Sequence, residues 1–254
     1  MNKLIYDVFI GEKALGNPCG VVELNEWPSD SELLTITREI AQPVTSFVVQ
    51  SNQQFFIRWF SQQSEINLCG HGSLGAGAAL LDKYQLESLT FGSKHGEVTI
   101  SRRGDLYSIV LPSWQGSPVR IPDEISCLMD DAVDAYVTRD LVVVLANEEA
   151  VVKFRPDFAK IRQITQYHAL IVTAQNGENS YALRYFAPSI GIDEDRATGS
   201  AQCSLAPYWF DKLGVNSLSV NQLSDSGGYF KVEKHSDSFI KVFAQVKART
   251  NSHS

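Results

Sequence analysis

Arg58-Trp59-Phe60-Ser61 and Arg184-Tyr185-Phe186-Ala187 carry one pattern 126 residues apart, and Gly72-Ser73 and Gly199-Ser200 follow them 127 residues apart. Each half of the chain therefore reads as a strand, an Arg-aromatic-Phe triplet, a loop, a Gly-Ser pair and a helix of small residues. Self-similarity at a fixed spacing marks a repeated supersecondary unit. Two such units facing each other would bring both Gly-Ser helix starts to one cleft. The 254-residue length allows one large domain or two small ones, and the repeat spacing is half of it.

Outward from these blocks, hydrophobic alternation predicts strands over 4–9, 20–24, 45–50, 55–60, 89–92, 97–102 and 106–111. A helix capped by Ser29 or Asp30 runs to Ile40, and a Gly/Ala-rich helix covers 72–84. The Pro-, Gly- and Ser-rich stretch from Leu111 to Pro118 is the best break in the chain. It divides residues 1–112, to which the last strand at about 239–248 can return, from 113–238. The second part predicts short helices over 123–129, 147–152 and 157–163, strands over 135–137, 142–145, 170–174 and 181–186, a helix over 201–212, and closing strands over 217–222, 229–234 and 239–246. The tail 250–254 is polar and expected to fray.

Composition removes several functions. The net charge is −7 and no basic stripe occurs, which argues against a nucleic-acid partner. No apolar run approaches the roughly 20 residues of a membrane span, and the first residues lack the apolar core of a secretory signal. Cys19, Cys69, Cys127 and Cys203 are widely spaced with no C-x-x-C, so neither a zinc knuckle nor a redox pair is expected. No cluster has metal-ligand spacing and no dinucleotide fingerprint or P-loop occurs, so neither a metal nor a cofactor is called. Free thiols point to a reducing compartment, the cytoplasm.

Two constellations carry chemistry. In Cys69-Gly70-His71-Gly72-Ser73, a Gly-rich turn at a helix start offers backbone N–H groups and positive potential to an anion. The same positive end favours the Cys69 thiolate, and His71 can move a proton near neutrality. The blander reading is that Gly and Ala let the helix pack closely. In the second, Asp193-Glu194-Asp195 precede Thr198-Gly199-Ser200. Acidic residues there ordinarily cap a helix. The hydroxyls and amides of Thr198, Gly199 and Ser200 could hold a second anion. Asn17, after Gly16 and before Pro18, reads as a turn former or a hydrogen-bond donor to substrate, and Gly227-Gly228 as a hairpin turn.

Together with Asp7, Arg38-Glu39, Phe47-Val48 and Gln222, these blocks occur in an order that resembles the PhzF-like family, named for phenazine biosynthesis, with its diaminopimelate epimerase-like fold. The resemblance implies an α+β chain of two pseudo-symmetric lobes, each a curled, mostly antiparallel sheet around a central helix, with the active site between them. It implies a cofactor-independent isomerase that shifts a proton or epimerises a small carboxylic acid, commonly as a homodimer. His71, Asp195 and Ser200 fall on polar active-site positions and Asn17 on a substrate contact. Gly70, Gly199 and Ser200 supply amides to a carboxylate, with Gly72, Ser73 and Thr198 completing the binding loops.

One position departs from the pattern. The family's proton-shuttling glutamate stands three residues before the Phe of this block, and Val44 occupies that place. Glu39 and Glu65 are the nearby carboxylates that could replace it. Cys69 is the obvious substitute, because a cysteine just before the first Gly acts as acid/base in the wider epimerase superfamily. Thr198 stands where the second thiol of a two-cysteine epimerase would be. The alternative is an impaired member that binds a small anion as a sensor or partner protein.

Overall fold

The computed structural model describes residues 2–249; the tail 250–254 lies outside the described residues. The chain forms two compact units, Met1–Val110 with Phe243–Ser254, and Leu111–Val242. The first unit contains β1 (Lys3–Ile10), β2 (Asn17–Leu24), α1 (Asp30–Ile40), β3 (Val44–Ser51), β4 (Gln54–Ser61), β5 (Glu65–Ile66), α2 (Gly70–Tyr84), β6 (Ser88–Ser93), β7 (Gly96–Arg103) and most of β8 (Leu106–Pro112). The second contains β9 (Ser117–Pro118), α3 (Asp123–Ser126), β10 (Ala132–Val137), β11 (Leu141–Leu145), α4 (Glu148–Lys153), α5 (Phe158–Ile161), β12 (Leu170–Gly177), β13 (Ser180–Phe186), α6 (Gln202–Leu213), β14 (Ser217–Gln222) and β15 (Gly228–Lys234). The last strand, β16 (Phe239–Ala248), crosses the boundary, and its end pairs antiparallel with β1.

The pairings are mostly antiparallel, as expected, with parallel ones interspersed at β2–β3, β4–β6, β11–β12 and β13–β14. From β1 through β2, β3, β4, β6 and β7 the pairings run antiparallel, parallel, antiparallel, parallel, antiparallel. From β10 through β11, β12, β13, β14 and β15 the same alternation recurs. Two short elements, β5 and β9, escape the hydrophobic pattern because two residues show no alternation. The first unit is three layers deep. Ser29 caps α1 through a capping box with Glu32, and α1 lays Leu33 against Val22, Phe47 and Phe60 on one sheet face. Helix α2 covers the other face, against β1, β2, β3, β6 and β7. In the second unit, α4 and α5 pack Val151, Phe154 and Ile161 on Leu170 and Val172, while Trp209 of α6 donates to Thr173 from the opposite face.

Helix α2 is buried from Gly72 to Leu81, which explains its composition. A methyl on Gly75 would overlap Cys19 Sγ, and one on Gly77 would lie 2.5 Å from Ile100 Cγ2. Neither position can carry a side chain at this helix–sheet distance. Gly77→Ala should therefore lower stability by about 1–2 kcal/mol despite the better helix propensity of alanine. Gly70→Ala, with open space around its α-carbon, should change stability little. Urea unfolding at constant m-value reads both.

Candidate functional site

The repeated Arg-aromatic-Phe triplet holds the loops that lead into the helix starts. Arg58 donates through Nε and Nη2 to Glu65 at 2.6 and 2.7 Å, and Arg184 through the same atoms to Glu194 at 2.8 Å each. Each guanidinium also covers the Phe two residues on, at 5.1 Å for Phe60 and 5.0 Å for Phe186. Two parallel charge-assisted bonds fix a carboxylate in both position and orientation. Glu65 precedes Cys69 by four residues, and Glu194 precedes Thr198 by four. The residues opening the two helix starts are thus tethered in the same way.

In the first unit the helix begins at Gly70, two residues before its expected start, because Cys69 caps it. Its Sγ accepts the Gly72 N–H at 3.4 Å and lies 3.3 Å from His71 Nδ1. Ser73 spends both its N–H and its hydroxyl on the Cys69 carbonyl, at 2.9 and 2.7 Å. Ser73 and Gly72 were expected to bind substrate; their donors instead hold the turn. The amides of Gly70 and His71 remain, since the first N–H groups of a helix have no partner within it. Burial lowers the His71 pKa from 6.5 to about 4, so its ring is neutral at pH 7.

The sheet beneath brings further groups to this corner. Gly16, at φ 74°, makes the turn, which leaves Asn17 as the buried first residue of β2 rather than a turn former. Asn17 and Cys19 alternate onto the face that meets α2, and Cys19 Sγ lies 3.8 Å from the His71 carbonyl. Burial pushes the Cys19 thiol well above its ordinary pKa. Val44 pairs with Cys19 across β2 and β3 and points to the same face. Neither candidate carboxylate stands beside it. Glu39 sits on α1, across the sheet, and pairs with Lys3 at 2.7 Å. Glu65 is clamped by Arg58, whose register partner Phe47 also faces α1, and its pKa is held down to about 2. Cys19, Ser46 and Trp59 escaped the sequence reading; strand alternation alone does not say which face a helix will cover.

In the second unit, a single 3₁₀ turn, Gly199–Ala201, leads into α6, so this start is tighter than the plain helix expected. The acidic run does not cap it. Asp195 accepts the Thr198 hydroxyl at 2.6 Å, Glu194 holds Arg184, and Asp193 meets Arg162. Buried Gln222 braces the loop, accepting the Thr198 N–H at 2.7 Å and donating to the Asp195 carbonyl at 2.8 Å. Gly228, read as turn, is the first residue of β15 and packs on Ala197; Gly227, at φ 67°, turns the hairpin. Thr198 therefore holds the loop, while Gly199 and Ser200 keep the outward amides of the turn. Among the described residues no cluster of His, Cys, Asp and Glu is placed to hold a metal ion, and no helix is long and apolar enough to cross a membrane.

A family model described as phenazine biosynthesis-like protein matches residues 6–138 and 129–242. The chain is 64% identical to an uncharacterised isomerase of Vibrio cholerae, over 96% of this chain and 88% of that protein. An uncharacterised isomerase of Pseudomonas aeruginosa is 36% identical over 87% and 86%. Among solved structures, a phenazine biosynthesis PhzC/PhzF protein of Clostridium difficile superposes with a TM-score of 0.91 at 30% identity, covering 98% of this chain and 96% of that one. A proline racemase structure from Agrobacterium radiobacter, at 9% identity and a TM-score of 0.61, shares the fold.

Two outcomes test this geometry. Arg184→Lys keeps the charge but loses the two-pronged grip on Glu194, and should cost about 1–2 kcal/mol in urea unfolding. His71 binds a proton more readily unfolded than folded, so stability should fall as pH drops from about 6.5 to about 4. His71→Gln should flatten that limb, and NMR of the imidazole should show a midpoint near 4.

Proposed function

The chain belongs to the phenazine biosynthesis-like family, and from that premise we propose that it is a cofactor-independent isomerase moving a proton on a small carboxylic acid. The observation that carries this reading is the Cys69 sulfur, held at a helix start 3.3 Å from the Nδ1 of a neutral imidazole. The thiolate removes a proton from the carbon next to the substrate carboxylate. Negative charge then builds on the carboxylate oxygens, where the amides of Gly70, His71, Gly199 and Ser200 receive it, with Asn17 as a further contact. The thiol returns the proton to a different atom. Thr198, where a second thiol would stand in a two-base racemase, favours such a one-base shift. Asp195 holds Thr198 and so orients the second start. That one substrate draws on both units is part of the proposal, as are a homodimer and a cytoplasmic setting, which the resemblance and the free thiols support.

Val44 favours a second reading, binding of a small anion without turnover, because neither Glu39 nor Glu65 lies on its sheet face. Incubation with dihydro-hydroxy acids and amino acids in D₂O separates the two. The isomerase reading expects solvent deuterium in at least one acid, reduced about 10²–10⁴-fold by Cys69→Ser. Thermal stabilisation by an acid without deuterium uptake, together with gain of exchange in Val44→Glu, would establish the binding reading instead. Exchange undiminished in Cys69→Ser would remove the thiol from the mechanism.

A further inference from the structure

Ser46 and Trp59 are direct register partners on β3 and β4, on the face that meets the start of α2. Both are buried, at 0% and 1% exposure, and among the described residues neither Ser46 Oγ nor Trp59 Nε1 has a hydrogen-bond partner. A methyl placed on Gly72 would lie 2.7 Å from Ser46 Oγ, 3.1 Å from Trp59 Cδ1 and 3.3 Å from Cys69 Sγ, so the three groups converge on one point. Buried donors left without acceptors cost free energy and call for a reason. The fold does not impose them. In the second unit the matching register pair is Ile171 with Tyr185: the serine position is apolar, and the tyrosine hydroxyl is met by Arg139.

We infer that Ser46 is a positioning residue for Cys69, donating its hydroxyl hydrogen to the sulfur when it carries the negative charge, with the Trp59 indole N–H as a second donor. The inference rests on the reading of Cys69 as proton carrier. A neutral thiol is a poor acceptor, whereas a thiolate accepts several strong bonds. The Gly72 N–H already supplies one at 3.4 Å, and Ser46 Oγ and the Trp59 ring border the same point beside Gly72. The two donors are therefore satisfied in the charged state alone, which lowers the cost of forming the base. The titratable groups at this corner are His71 on α2, Cys19 on β2 and its register partner Tyr6 on β1, with Asp7 of β1 paired to Arg249; β3 and β4 bring none to this face. His71 and Cys19 both stay neutral around pH 7.

The test follows thiolate ultraviolet absorbance against pH in the full-length protein, with the Cys69→Ser trace subtracted. Ser46→Ala should move the Cys69 midpoint up by about half to one pH unit, roughly 3- to 10-fold less thiolate at a fixed pH below the midpoint. Its Tm should not fall, because the lost hydroxyl had no partner. Trp59→Phe, which keeps a large ring and removes the N–H, should move the midpoint the same way. Unchanged midpoints in both folded variants, or a lower Tm in Ser46→Ala with an unmoved midpoint, would overturn the role. No substrate enters this measurement, so a shifted midpoint without deuterium exchange would sink the isomerase reading alone.

Discussion

The clamps Arg58–Glu65 and Arg184–Glu194 each fix the loop that leads into a helix start of their own unit. A helix start can serve as an anion receptor only if the loop before it is fixed, because its amides must point one way before the ligand arrives. Each guanidinium lies over a phenylalanine ring, largely shielded from water, and grips a carboxylate four residues ahead of Cys69 or Thr198. The identity of the repeat thus has a mechanical cause: arginine grips the loop, and phenylalanine supports the arginine.

From that constraint the surroundings of Cys69 follow. Once the loop is fixed, α2 can enter its sheet only with glycine against Cys19 and Ile100, which draws its first turn down among buried side chains. His71 is desolvated and neutral there, and the sulfur meets the Gly72 amide and the imidazole, with Ser46 and Trp59 bordering the same point beside Gly72. The same sheet keeps Glu39 and Glu65 on its far side. With valine at position 44, neither Glu39 nor Glu65 shares a sheet face with it, and whether the Cys69 sulfur carries a proton separates the two proposed readings.

The element order, the capping of α1 and the Gly-Ser helix starts were legible because each has a local signature: alternation, a capping box, a cluster of small residues. The clamps were legible only as a repeat of letters, since nothing local says that Arg58 reaches seven residues on and Arg184 ten. For the same reason Glu65 read as a free carboxylate and Asp193 to Asp195 as caps, whereas long-range ion pairs and the Thr198 hydroxyl hold them. Ser46 and Trp59 read as ordinary strand residues. Their significance depends on which face α2 covers, and that is decided by packing rather than by strand period.

The measurement that bears most directly on the proposed site is an NMR titration with a small carboxylic acid that gives exchange or thermal stabilisation, following the backbone amides of Gly70, His71, Gly199 and Ser200. If both helix starts receive one ligand, all four amides shift together with a single dissociation constant, and the His71 ring moves with them. Shifts confined to one pair, or two different dissociation constants, would contradict the shared role of the two helix starts.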